Sequence, residues 1–163
     1  MGEPMGIVRS RLSFAIAWAA LSVTLAAGAS FACAQEEQPA GQENPERAIA
    51  RLVREMQMDL EGSSSTGMLR KIDRAKFEDF PSFRDMVERL TREDTLRVFF
   101  RQVSNALDEE TARTVLDAEM EMTRKDSAMP AERRRQQITI DLEFTSGGWK
   151  IVNITPREFF RPL

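Results

Sequence analysis

Carboxylates are the residues in this sequence whose types and spacing come nearest to chemistry. Asp117, Glu119 and Glu121 alternate along one stretch, and Asp141 and Glu143 along another. Side chains two apart on a strand share a face. If the two strands pair through the loop 125–132, all five carboxylates lie on one sheet face, with Glu119 opposite Asp141. Such a face would suit a cation or a basic partner. The alternative is a solvated outer face, relieved by Arg97, Arg135 and Lys150 and screened by salt. The solvated reading is the one adopted, so no metal ligand is assigned. Asp108-Glu109-Glu110 also lacks the Asp-x-Asp-x-Asp-Gly pattern of a calcium loop.

The chemistry that is missing narrows function further. The protein has no His, no Tyr, and one Cys, at position 33. Ser-His-Asp and Cys-His arrangements cannot be built, and neither can a His- or Cys-ligated zinc site. Gly62 and Gly67 flank serines without the following Lys of a phosphate loop. No catalytic residue and no cofactor are assigned. Asp59 is the one carboxylate near the apolar stripe of the first helix, and it is the position for a general base if there is one.

The N-terminal residues point to export. Arg9 and Arg11 precede an apolar run from Leu12 to Phe31, and Ala32-Cys33-Ala34 then forms an A-x-A site before the polar Gln35-Glu36-Glu37-Gln38. This is the order of a signal peptide at residues 1–34, cleaved after Ala34. A retained membrane anchor is the alternative, because the run approaches the ~20 residues that span a bilayer. Lipidation of Cys33 is another route to a membrane, but Phe31 makes a poor lipobox. A cleaved chain would be periplasmic or extracellular, free of cysteine, and stabilised by its core alone. Residues 35–43 read as a disordered linker and 44–163 as one domain. The formal charge of −3 offers no electrostatic footprint for nucleic acid. Arg133-Arg134-Arg135 reads as a solvated strand edge.

The elements that position these residues follow from periodicity. Asn44-Pro45-Glu46 is a helix start, and Ile49, Leu52, Val53, Met56 and Leu60 give residues 45–61 one apolar face. A short second helix fits Met68–Phe77, and a third opens at Pro81 with Phe83, Met86, Val87 and Leu90 as its stripe. From Thr95 the period becomes two. Leu96, Val98 and Phe100 oppose Arg97, Phe99 and Arg101 across the strand. Residues 105–110 form a polar connection. Leu116, Ala118, Met120 and Met122 line one face of a second strand, and Ile138, Ile140, Leu142 and Phe144 one face of a third. With Thr145-Ser146-Gly147-Gly148 as a loop, Phe144 faces Trp149, Glu143 faces Lys150 and Leu142 faces Ile151. Three N-terminal helices followed by about four antiparallel strands make an α+β domain, with the helices packed on one face of the sheet.

The FEDFPSF segment and the ending ITIDLEFTSGGWKIVNITPREFF, with Pro156 and Phe159-Phe160 after the hairpin, resemble the nuclear transport factor 2-like superfamily. Its members include SnoaL-like and ketosteroid-isomerase-like proteins, and the resemblance to an exported bacterial member covers roughly residues 45–160. It implies a cone, in which a curved sheet wraps the first helix and a pocket opens between them. The isomerase-like members pair a carboxylate base with a Tyr, and this chain has no such Tyr.

The candidate pocket lining is Met120, Met122, Ile140, Phe144, Trp149, Ile151 and Asn153, with Gln136 as a second polar residue on that face. These side chains suit a small apolar ligand or simply fill the core. The expected function is a non-catalytic exported module binding such a ligand or a protein partner. The alternative is a SnoaL- or isomerase-type enzyme with a single carboxylate base. A homodimer through the sheet is a further arrangement.

Overall fold

The computed structural model describes residues 44–126 and 130–163. The expected signal peptide, Cys33 and the linker 35–43 lie outside the described residues. Asn44 starts the first helix, α1 (Pro45–Glu61), by accepting the Glu46 N–H at 2.8 Å. The helix buries Ile49, Leu52, Val53, Met56 and Leu60, the stripe its spacing predicts.

The second helix differs from expectation. α2 (Ser65–Arg70) begins earlier, capped by the Ser64 hydroxyl at 3.1 Å from the Gly67 N–H, and it stops well short of Phe77. The reason is tertiary. Residues 71–73 run beside the last strand, where Lys71 accepts the Ile151 N–H and Asp73 donates to the Ile151 carbonyl, each at 2.9 Å. Helical backbone could not offer those groups sideways. α3 (Phe80–Glu93) carries Pro81 in its first turn and buries Phe83, Val87 and Leu90.

The sheet comprises β1 (Asp94–Leu107), β2 (Thr111–Arg124), β3 (Glu132–Thr145) and β4 (Gly148–Thr155), in that spatial order and antiparallel throughout. Among the described residues, three α-helices precede it. β1 extends through Leu107, so the connection to β2 is only residues 108–110. The terminal hairpin has the expected register: Phe144 with Trp149, Glu143 with Lys150 and Leu142 with Ile151. Its loop is tighter than expected, because Thr145 pairs with Gly148 and leaves only Ser146-Gly147 between them. Gly148 has φ +93°, a conformation that favours glycine.

Two register shifts alter the faces. One lies between Gln102 and Ser104 in β1, and the other displaces Val152 in β4. Each inserts one unpaired residue, so side-chain parity reverses beyond it.

The helices cover one sheet face, and the end of the chain completes the core. A 3-10 turn (Arg157–Phe160) places Phe159 and Phe160 in the interior, each fully buried. Phe160 meets Phe83 edge to face at a centroid distance of 5.5 Å, and Phe159 lies 6.2 Å from Phe100. Polar contacts hold this segment down. Arg134 donates to the carbonyls of Glu158, Phe159 and Arg161 at 3.2, 2.9 and 2.7 Å. Arg124 donates to the Leu163 carbonyl and pairs with the fully buried Asp94 at 3.2 Å, while Asp94 also accepts the Leu163 N–H at 3.3 Å.

Candidate functional site

The inner sheet face holds most of the residues expected to line a pocket. Met120, Met122, Ile140 and Ile151 are each 0% exposed, and Trp149 is 8% exposed. A side chain with no exposed surface touches no water-sized void, so these four are packed. Phe159 and Phe160 occupy the space above the strands. Phe144 lies apart at the hairpin tip, 48% exposed, with its ring edge to face on Trp149 at 5.5 Å.

Asn153 requires a correction. Counting from Trp149 and Ile151 puts it on the inner face, but the extra residue Val152 sends it outward, opposite Asp141, and Ile154 takes the inner position. Its amide donates to Asp141 Oδ2 at 3.2 Å and accepts from Arg157 at 3.3 Å. Gln136 is exposed.

Asp59 sits between α1 and α2. Lys71 closes on it, and Glu55 approaches the same ammonium at 3.6 Å. Gly67 permits this packing, since a Cβ there would collide with the Asp59 carboxylate. Beside this group lies a small cleft of about 200 Å³ between α1 and the hairpin, lined by Arg51, Leu52, Glu55, Lys71, Trp149 and Lys150.

The outer face gathers the five carboxylates, though not in the register expected. Glu119 lies opposite Arg135, not Asp141, and Asp141 lies opposite Arg113. The pairing of β2 with β3 sets three of the acids, Glu119, Glu121 and Asp141, across from Arg135, Arg133 and Arg113. Arg135 bonds Glu119 at 2.7 Å, Arg133 bonds Glu121 at 2.8 Å and Arg113 bonds Asp141 at 2.7 Å. Arg101 closes on Asp117, and Lys76 on Glu143. The carboxyl of Asp117 is held below its ordinary pKa by hydrogen bonds from Gln137 and Arg101. Glu121 is lowered chiefly by its hydrogen bond from Arg133. Asp117 and Glu121 are thus paired and poorly suited to accept a proton. Among the described residues, no three acidic, His or Cys side chains converge as a metal site.

Within this paired surface sits Phe99, 60% exposed and directly opposite Glu119. It lines a groove of about 380 Å³ with Arg101, Asp117, Glu119, Arg135 and Gln137. An exposed aromatic ring ringed by guanidinium and amide groups can bind an apolar side chain and hydrogen-bond its backbone. The sequence signal for this residue was an aromatic on the polar side of an alternating strand, between Arg97 and Arg101.

No protein-family model and no curated protein matches the sequence. Solved structures do match. A conserved protein from Planctomyces limnophilus aligns at 10% identity with a TM-score of 0.61, covering 67% of this chain and 91% of that one. A candidate scytalone dehydratase from Novosphingobium aromaticivorans aligns at 12% identity and TM-score 0.59, covering 67% and 80%. A nuclear transport factor 2-like superfamily protein from Salmonella enterica aligns at 9% identity and TM-score 0.54, covering 67% and 87%. The chain therefore has the nuclear transport factor 2-like fold, and likeness at this identity speaks for fold alone.

Proposed function

We propose that this chain is an exported, non-catalytic binding module that recognises a protein partner through the outer sheet face around Phe99. The observation that carries the reading is the filled interior. Phe159 and Phe160 are fully buried against α3 and β1, and the Met and Ile side chains beneath the helices have no exposed surface. A single-carboxylate enzyme needs a base beside a donor in an open cavity. Asp59, the base that reading would use, is held by Lys71. The outer groove supplies instead what a partner needs: an exposed aromatic anchor with a polar rim. Its ion pairs are already satisfied within the sheet, so covering them leaves no charge without a partner.

The test is site-specific photocrosslinking in an exporting host, with the reactive side chain at position 99 and, as control, at position 120. A discrete protein adduct from position 99 alone, on chain whose intact mass begins at Gln35, is the expected result. Absence of that adduct, with a small molecule retained by the purified chain in native mass spectrometry, would overturn the reading in favour of an internal ligand site.

A further inference from the structure

On the outer face of β2 and β3, acids and bases neutralise one another. Beside β4 they do not. Residues 71–73 run alongside β4, bonded to it at Ile151, and this carries Arg70 and Arg74 to the side of Lys150. The three cations line one open groove of about 490 Å³, with Asp73 as its one acid and the buried Ile72 among its walls. The hairpin register assigns Glu143 to Lys150, but Lys76 closes on Glu143 instead. Lys150 turns to the Arg70 carbonyl at 2.8 Å, a hydrogen bond that leaves its charge uncancelled. Asp73 turns Oδ1 to the N–H groups of Ala75 and Lys76, at 3.0 and 3.4 Å. The Arg74 guanidinium lies 5.7 Å over the Phe80 ring, a contact that uses its face and not its N–H edge. Among the described residues, none of Arg70, Arg74 and Lys150 forms an ion pair.

A groove lined by one sign of charge concentrates ions of the other. We propose that this groove binds a phosphomonoester through Arg70, Arg74 and Lys150. Three cations and one carboxylate leave the lining with two positive charges, which the phosphate dianion matches. A carboxylate or a sulfate ester, each a monoanion, would leave one of them uncancelled. Guanidinium groups with free N–H edges also suit the phosphate oxygens, which they can hold two at a time. Lys150 further borders the small cleft of Leu52 and Trp149, an apolar wall for the organic part of the ester. The groove belongs to the β4 side of the sheet, whereas Phe99 lies on β1, so this site stands or falls apart from the partner face.

The test is a titration of the purified chain with phenyl phosphate and, at matched ionic strength, with phenyl sulfate and chloride, read by backbone amide and arginine side-chain N–H resonances. The expected result is saturable shifts at residues 70–76 and 150, with phenyl phosphate bound tighter than phenyl sulfate by roughly two- to fivefold, the worth of one exposed ion pair. Arg70→Gln and Arg74→Gln should each weaken phenyl phosphate by a similar factor, about two- to fivefold. Both side chains are exposed, so the fold should survive, and Arg92→Gln at the far end of α3 is the control that leaves binding unchanged. The chain has no histidine, so affinity that rises as pH passes about 6 reports the second ionisation of the phosphate. Phosphatidylcholine vesicles with and without phosphatidic acid then separate the two sources of the group: retention on the acidic vesicles alone assigns a lipid headgroup, and none assigns a soluble ester. An equal response to phosphate, sulfate and chloride would mark an adventitious ion only and overturn the proposal. So would shifts that the Arg70 and Arg74 variants leave intact.

Discussion

Lys71 closes on Asp59 in the one place where Gly67 leaves room for the carboxylate. The helix pair α1–α2 is locked by this ion pair, with Lys71 only 14% exposed at the side chain. A methyl group at position 67 must displace Asp59 from its partner. Gly67→Ala should therefore destabilise by about 1–3 kcal/mol, the range for overpacking. In an Asp59→Ala background the same change should be neutral or stabilising, because alanine exceeds glycine in a helix by ~1 kcal/mol. Urea unfolding of the four variants measures the coupling, and additive effects would contradict this packing.

Removing Phe160 opens the interior. Its ring is fully buried against Phe83 and Phe159. Phe160→Ala should cost about 3–5 kcal/mol, the usual range for a buried aromatic truncated to alanine. If the chain still folds, the variant should also acquire affinity for small aromatic probes that the unaltered protein lacks. Calorimetric melting and probe titration check the two halves separately.

Arg124 neutralises Asp94, which has no exposed surface. Arg124→Met leaves that carboxylate buried without its cation, so a loss of about 3–5 kcal/mol is expected. Pairing this change with Asp94→Asn should recover much of the loss, because the uncompensated charge is gone. Chemical denaturation with equal slopes across the series tests it. A loss in the double variant as large as in Arg124→Met alone would count against the argument.

Stability should respond to acid and hardly at all to neutral pH. The folded pKa values of Asp117 and Glu121 lie below the ordinary ones, through hydrogen bonds from Gln137 and Arg101 and from Arg133. A lowered folded value gives stabilisation that is complete above the unfolded pKa, about 4, and is lost as pH falls through the folded value. With no histidine anywhere in the chain, no side chain has an ordinary pKa near 6.5. The melting midpoint should be flat between about pH 5.5 and 8 and fall below about pH 4. A step near pH 6 would refute this account. Both carboxylates are only half-buried, so added salt should shrink the acid effect.

Local pattern determined much of this protein. The 3.6-residue stripe of α1 and the alternation in the strands are set by which side chains avoid water, a property each residue carries by itself. The hairpin register followed too, since a shift of one residue would have sent Phe144 and Trp149 to opposite faces. Features depending on distant backbone were decided only by the tertiary structure. α2 ends at Arg70 because the edge at Ile151 needs partners, and nothing in residues 68–77 announces that need. Asn153 turns outward because one unpaired residue at Val152 reverses parity, and a bulge is a property of two strands together. Glu119 meets Arg135 because of the offset at which β2 and β3 pair. The filling of the interior by Phe159 and Phe160 required the chain to return across the sheet. Periodicity names the face a side chain prefers; only the packed backbone decides what that face meets.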